Sequence, residues 1–267
     1  RVLEFLMAPS VVVNKSTIAR VSLMLWGSAG CGKTTFANTA PGKRLYINFD
    51  PDGTSSLPVD ENTLLLDYSN EHDRVVDEVK SINPFGLETI FKEHPDIQTV
   101  ILDSVTAFAT KAVSYSVGHK NAPGAAFENP SMSGYGFRNR FTLGLCKSLL
   151  LVTGKHNKNL ILICHEDVPK TNDKGEIQRI TILLGGSLPE EVPLQISEVW
   201  HMRDTGTERR VTVRPTGLTK PMKSRMFNTT LNTEFVSSTK TEPSKITLTA
   251  LFDQWRGNNY DKIELPK

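Results

Sequence analysis

Short apolar runs recur along the chain, separated by polar stretches and by segments with helical spacing. Val21–Trp26, Arg44–Phe49, residues 62–67, Thr99–Leu102 and Leu160–Cys164 read as strands, and most are apolar on both faces, the pattern of a buried sheet. Ser197–Met202 and Arg210–Arg214 read as two later strands joined at Thr205-Gly206. Helices are predicted from Thr34 to Ala40, where Pro41-Gly42 ends the pattern, and over Phe137–Lys155. Two more stretches within 71–94 break at Asn83-Pro84, because proline resists a helix interior. Residues 116–136 and Pro169–Gln178 read as long polar loops. Strands alternating with helices predict an α/β fold with a mainly parallel central sheet and helices on both faces. The expected organisation is an N-terminal strand or arm over 1–20, a core over 21–227, and a C-terminal tail over 228–267. The tail carries one short ordered element at Ile246–Trp255.

Composition narrows the class without choosing a function. A net charge of +2 over 267 residues neither demands nor excludes nucleic acid, so any such surface is a local patch. No apolar run approaches a membrane span, and no secretory pattern opens the sequence, so no membrane partner is expected. Cys31, Cys146 and Cys164 lack paired or metal-ligand spacing, which predicts reduced thiols and a cytoplasmic setting.

Candidate chemistry concentrates in Gly27-Ser28-Ala29-Gly30-Cys31-Gly32-Lys33-Thr34-Thr35, which fills every fixed position of G-x-x-x-x-G-K-[ST]. Glycines let backbone N–H groups converge on phosphate oxygens, and the following helix adds partial positive charge at its N-terminus. Lys33 has the reach for β- and γ-phosphates, and the Thr34 hydroxyl suits Mg²⁺. ATP and Mg²⁺ are therefore the expected ligands.

Further carboxylates follow apolar strands. Asp103 closes Thr99–Leu102 and suits Mg²⁺ through water; capping of the next helix by Asp103 or Ser104 gives the same pattern. Asp50 and then Asp52 are the candidates to orient or deprotonate an attacking water, with simple turn formation as the alternative. His165 ends Leu160–Cys164 at the predicted ligand crevice and suits a γ-phosphate sensor, and Glu166 is a second candidate base. Tyr135, Phe137, Arg138, Arg140 and Phe141 interleave cations with rings, as a single-strand binder does. Phe137 and Phe141 share one helical face, which is equally a core pattern.

The stretches GSAGCGKTT (27–35), LYINFD (45–50), TVILDSVTAF (99–108), LILICHED (160–167) and Lys223-Ser224-Arg225 together resemble the RecA-like P-loop ATPases, over roughly residues 20–227. The resemblance extends to the short phage single-strand annealing and recombinase proteins of the Sak type. It implies a RecA-like core that hydrolyses ATP in an oligomer, ring or helical filament, on single-stranded DNA in phage recombination. A single-strand binding protein is a further implied partner, and the host cytoplasm the implied location. Asp50 then stands where the family usually carries the water-activating Glu, a departure that leaves Asp52 and Glu166 open for the role. His165 becomes the switch residue, and segment 168–182, with Lys170, Lys174 and Arg179, corresponds to a DNA-binding loop. Lys223 and Arg225 match a Lys-x-Arg pair that several such assemblies, including KaiC-type ATPases, place on a neighbour's γ-phosphate; a solvated basic turn gives the same residues.

Overall fold

The computed structural model describes residues 20–51, 53–57, 60–70, 76, 78, 79, 81–118 and 131–266. The arm expected over 1–20, apart from Arg20, and Asp52 lie outside the described residues. An eight-stranded sheet organises the molecule. In chain order its strands are β1 (Ser22–Gly27), β2 (Lys43–Asn48), β3 (Thr63–Asp67), β4 (Ile97–Asp103), β5 (Asn159–His165), β8 (Glu198–Asp204), β9 (Glu208–Thr212) and β11 (Glu234–Thr239). The spatial order is β11-β9-β8-β1-β5-β4-β2-β3. All pairings from β8 to β3 are parallel, and β9 and β11 close one edge antiparallel. Two short pairs complete the strands: β6 (Lys170–Thr171) with β7 (Ile177–Arg179), and β10 (Phe227–Asn228) with β12 (Ile263–Glu264).

The continuous apolar runs follow from two cores, one on each face. Met24 and Trp26 of β1 enter one core and Leu23 and Leu25 the other; β5 divides in the same way, with Leu160, Leu162 and Cys164 opposite Ile161 and Ile163. The first core is covered by α2 (Leu87–Glu93), α3 (Val105–Gly118), α4 (Met132–Lys155) and α5 (Leu188–Gln195). The second is covered by α1 (Lys33–Ala37) and α6 (Leu248–Gly257). Truncating a fully buried strand residue such as Leu162 removes both transfer energy and packing, a cost of about 2–5 kcal/mol.

Two boundaries differ from the sequence expectation. Helix α4 begins at Met132 rather than Phe137, because the Ser131 side chain caps it by accepting from the Gly134 N–H; the Gly- and Ser-rich opening hides the helical pattern. Segment 228–266 is built into the fold rather than appended as a tail. Strand β11 pairs with β9 at the sheet edge, and Leu248, Leu251, Phe252 and Trp255 of α6 are buried in the second core. An edge strand tolerates polar residues, so EFVSST carries little strand signal. Among the described residues, no helix is long and apolar enough to cross a membrane.

Candidate nucleotide site

Four strand ends meet at one cavity of about 510 Å³. β1 delivers the glycine-rich loop, β2 delivers Asp50, β4 delivers Asp103 and β5 delivers His165. Strand ends of a parallel sheet gather in this way at the ligand crevice. Two glycines are required for distinct reasons. A Cβ on Gly27 would fall onto the Met202 carbonyl oxygen of β8, so the loop packs against its neighbour strand only without a side chain. Gly32 turns into α1 at φ +92°, a conformation L-residues rarely adopt.

Lys33 is buried, and its ammonium group donates to the carbonyls of Gly27 at 3.0 Å and Ser28 at 2.7 Å. The carbonyl of Gly27 also accepts from the Glu166 N–H at 2.9 Å. The lysine thus folds back over its own loop, within the cavity where the sequence expects phosphates.

The Thr34 hydroxyl donates to Oδ2 of Asp103 at 2.6 Å. Asp103 is only 3% exposed. Burial pushes its carboxyl up to about 6, reinforced by the Asp50 charge, while the Thr34 hydrogen bond and Lys33 pull the other way. A buried carboxylate short of positive charge, held against a threonine hydroxyl at the mouth of a phosphate-type loop, fits a hard divalent cation such as Mg²⁺.

Asp50 behaves oppositely. Burial alone would raise its carboxyl, but the hydrogen bond and charge of His165, the Ser104 hydroxyl and Lys33 outweigh burial and hold it below the usual carboxylate range. His165 Nε2 lies 3.4 Å from Asp50 Oδ2; the ionised carboxylate accepts, so the ring nitrogen donates. His165 is itself fixed from behind, its N–H donating to the Thr106 hydroxyl at 3.0 Å and its carbonyl accepting from the Leu183 N–H at 2.8 Å.

The other predicted residues are placed elsewhere. Glu166 does not line this cavity; its Oε2 lies 2.6 Å from His201 Nε2, and burial pushes the His201 ring down against the pull of that carboxylate. Lys170, Lys174 and Arg179 lie on or between β6 and β7, a hairpin whose stem starts beside His165 through the Asp167–Thr181 and Leu183–His165 backbone bonds. Lys170 and Lys174 are exposed, whereas Arg179 pairs with Glu190 at 3.1 Å. Arg138 bonds the Asn139 side chain and lies over the Tyr135 ring at 5.1 Å; Arg140 is exposed. Phe137 and Phe141 stack at 3.9 Å and pack on the first core. Lys223 and Arg225 do not line their own chain's cavity. Lys223 donates to the Leu194 carbonyl at 3.3 Å, and Arg225 is exposed. The fully buried Glu198 anchors that turn, accepting from the N–H groups of Arg225 and Met226 and from the Trp200 indole.

Sequence reasoning missed Arg209, which lines the cavity from β9, and the Ser104 contact to Asp50. The Arg209 position depends on β8 lying beside β1 and β9 beside β8, and strand order is not encoded in local pattern.

No curated protein matches the chain at a significant level. A family described as an AAA domain matches residues 19–236, most of the length, and its boundaries enclose the loop, Asp50, Asp103, His165 and Arg225. The chain belongs to this family of AAA-domain P-loop proteins.

Proposed function

We propose that the protein is an ATPase that binds Mg·ATP in this cavity and hydrolyses the γ-phosphate, and that it works as an oligomer on single-stranded DNA. The observation that carries the reading is the convergence of Lys33, Thr34, Asp103, Asp50 and His165 on a single cavity. Backbone N–H groups of the loop bind the phosphates, and Lys33 shifts from its carbonyl partners to phosphate oxygens. Thr34 and Asp103 hold Mg²⁺, which when bound neutralises charge on the phosphate oxygens. Asp50 orients the attacking water; its depressed basicity suits positioning more than long-term retention of a proton. His165 reports on the γ-phosphate through its bond to Asp50 and passes displacement to the 170–179 hairpin, whose stem bonds to the His165 carbonyl. Exposed Lys170 and Lys174, together with Arg138, Arg140 and Arg179, meet DNA phosphates. Lys223 and the exposed Arg225 act on the site of an adjacent copy, where a cation stabilises transition-state charge and ties turnover to assembly. The phage-type recombination or annealing role rests on the Sak-type resemblance.

A second reading is a DNA-independent switch acting on protein partners. It is favoured by the ion pair of Arg179 with Glu190 and by Asp173 and Glu176, which offset the hairpin cations. Turnover and binding measured with and without single-stranded DNA at low salt separate the two. Stimulation is expected; ATP turnover with neither stimulation nor DNA binding leaves the switch, and no ATP turnover in folded protein sinks both.

A further inference from the structure

We propose that Arg209 binds the nucleotide in cis, at the phosphate nearest the nucleoside, and that the cavity beyond it holds the nucleoside. The proposal rests on the nucleotide reading above and adds a residue and a direction to it.

Arg209 lies across the glycine-rich loop. A Cβ on Gly32 would come within 2.7 Å of its Nη1, so the absent side chain is what lets the guanidinium settle there. Its ionic partner is loose: Nε stands 3.7 Å from Oδ2 of Asp204, beyond hydrogen-bond range. The neighbouring Arg210 differs sharply, holding both Glu208 and Glu234 at 2.7 Å. One arginine of β9 is thus saturated by carboxylates, while the next is half-exposed over an anion-type loop with its donors largely unspent.

Strand order gives the direction. Asp103 and Asp50 come from β4 and β2 on one side of β1, and Arg209 comes from β9 on the other. A triphosphate seated in the loop has two ends. The reactive end faces Asp50 and the metal residues, so the nucleoside leaves toward β8 and β9. There a second cavity of about 290 Å³, lined by Asp204, Glu208, Ser238, Lys240 and Pro243, shares Arg209 with the first. A planar guanidinium at that junction suits a fork pairing with phosphate oxygens.

The test compares wild type, Arg209→Ala, Arg209→Lys and Lys33→Ala by calorimetry with ATP and ADP in the presence of Mg²⁺, with circular dichroism reporting the fold. Arg209→Ala is expected to weaken ATP and ADP by the same factor, about tenfold or more, since the residue lies away from the γ-phosphate. Arg209→Lys recovers part of the loss. Photolabelling of the wild type with 8-azido-ATP is expected to mark peptides within 204–209 or 238–243. Affinities of Arg209→Ala within twofold of wild type, or labelling confined to other peptides, overturn this inference and leave the nucleotide reading standing. A wild type that binds neither nucleotide overturns both.

Discussion

The Thr34 hydroxyl and the Asp103 carboxylate, 69 residues apart in sequence, meet at 2.6 Å across the sheet and join the glycine-rich loop to the end of β4. The contact brings a metal-type hydroxyl to a carboxylate that burial has made reluctant to ionise. On the proposed function, metal binding and stability pull in opposite directions at this residue.

Asp103→Asn is expected to stabilise the nucleotide-free protein at pH 7.5 while abolishing magnesium-dependent turnover. The folded carboxyl titrates near 6 against 3.8 when unfolded, so ionisation costs nothing below the unfolded value and its full cost above the folded one. That cost is at most about 3 kcal/mol, and the neutral amide avoids it. A higher melting temperature together with a loss of turnover of at least ~100-fold is the expected pair of results; a lower melting temperature contradicts the electrostatic account.

The same carboxyl predicts a pH dependence of metal use. Protons compete with Mg²⁺ for Asp103 as pH falls through about 6, so magnesium-supported ATP affinity is expected to drop there. In EDTA no such drop is expected from Asp103, because its protonation then only removes a negative charge that faces the phosphates. Equal pH slopes with and without Mg²⁺ would assign the effect to another group.

Asp50→Asn is expected to lower kcat by about 10²–10⁴-fold with little change in ATP affinity, because in the proposed mechanism Asp50 acts on water rather than on the phosphates. His165→Ala is expected to reduce kcat less and to raise the Asp50 pKa, since the ring is the first of the groups that hold it down. Carboxyl titration followed by NMR checks the shift directly.

Lys33→Ala and Arg225→Ala are each expected to be inactive alone. Mixed in equal amounts, they recover activity if Arg225 serves a neighbour, because some interfaces then pair an intact loop with an intact arginine. Random mixing predicts about a quarter of wild-type turnover per site. No recovery after subunit exchange would place Arg225 outside the chemistry.

Much of the site was legible because its chemistry is local. The glycine-rich loop, Asp103 and His165 are each announced by an apolar run ending in a polar residue, and β1, β4 and β5 carry them to one edge of the sheet. Arg209 was not legible, because its place at the cavity comes from β8 lying beside β1 and β9 beside β8, which no short-range pattern states. Glu166 shows the converse: adjacent to His165 in sequence, it lies just past the end of β5 and bonds His201 of β8, a contact set by strand order. The strand β11 is not legible because an edge strand need not be apolar, and the first turn of α4, before Phe137, is not legible because serine and glycine occupy it.

The Gly27 carbonyl accepts from two donors, one a side chain and one the main chain. When the ammonium swings toward a ligand, that oxygen is still satisfied by the Glu166 amide. On the proposed function, the lysine can therefore turn to a phosphate without stranding the oxygen it leaves.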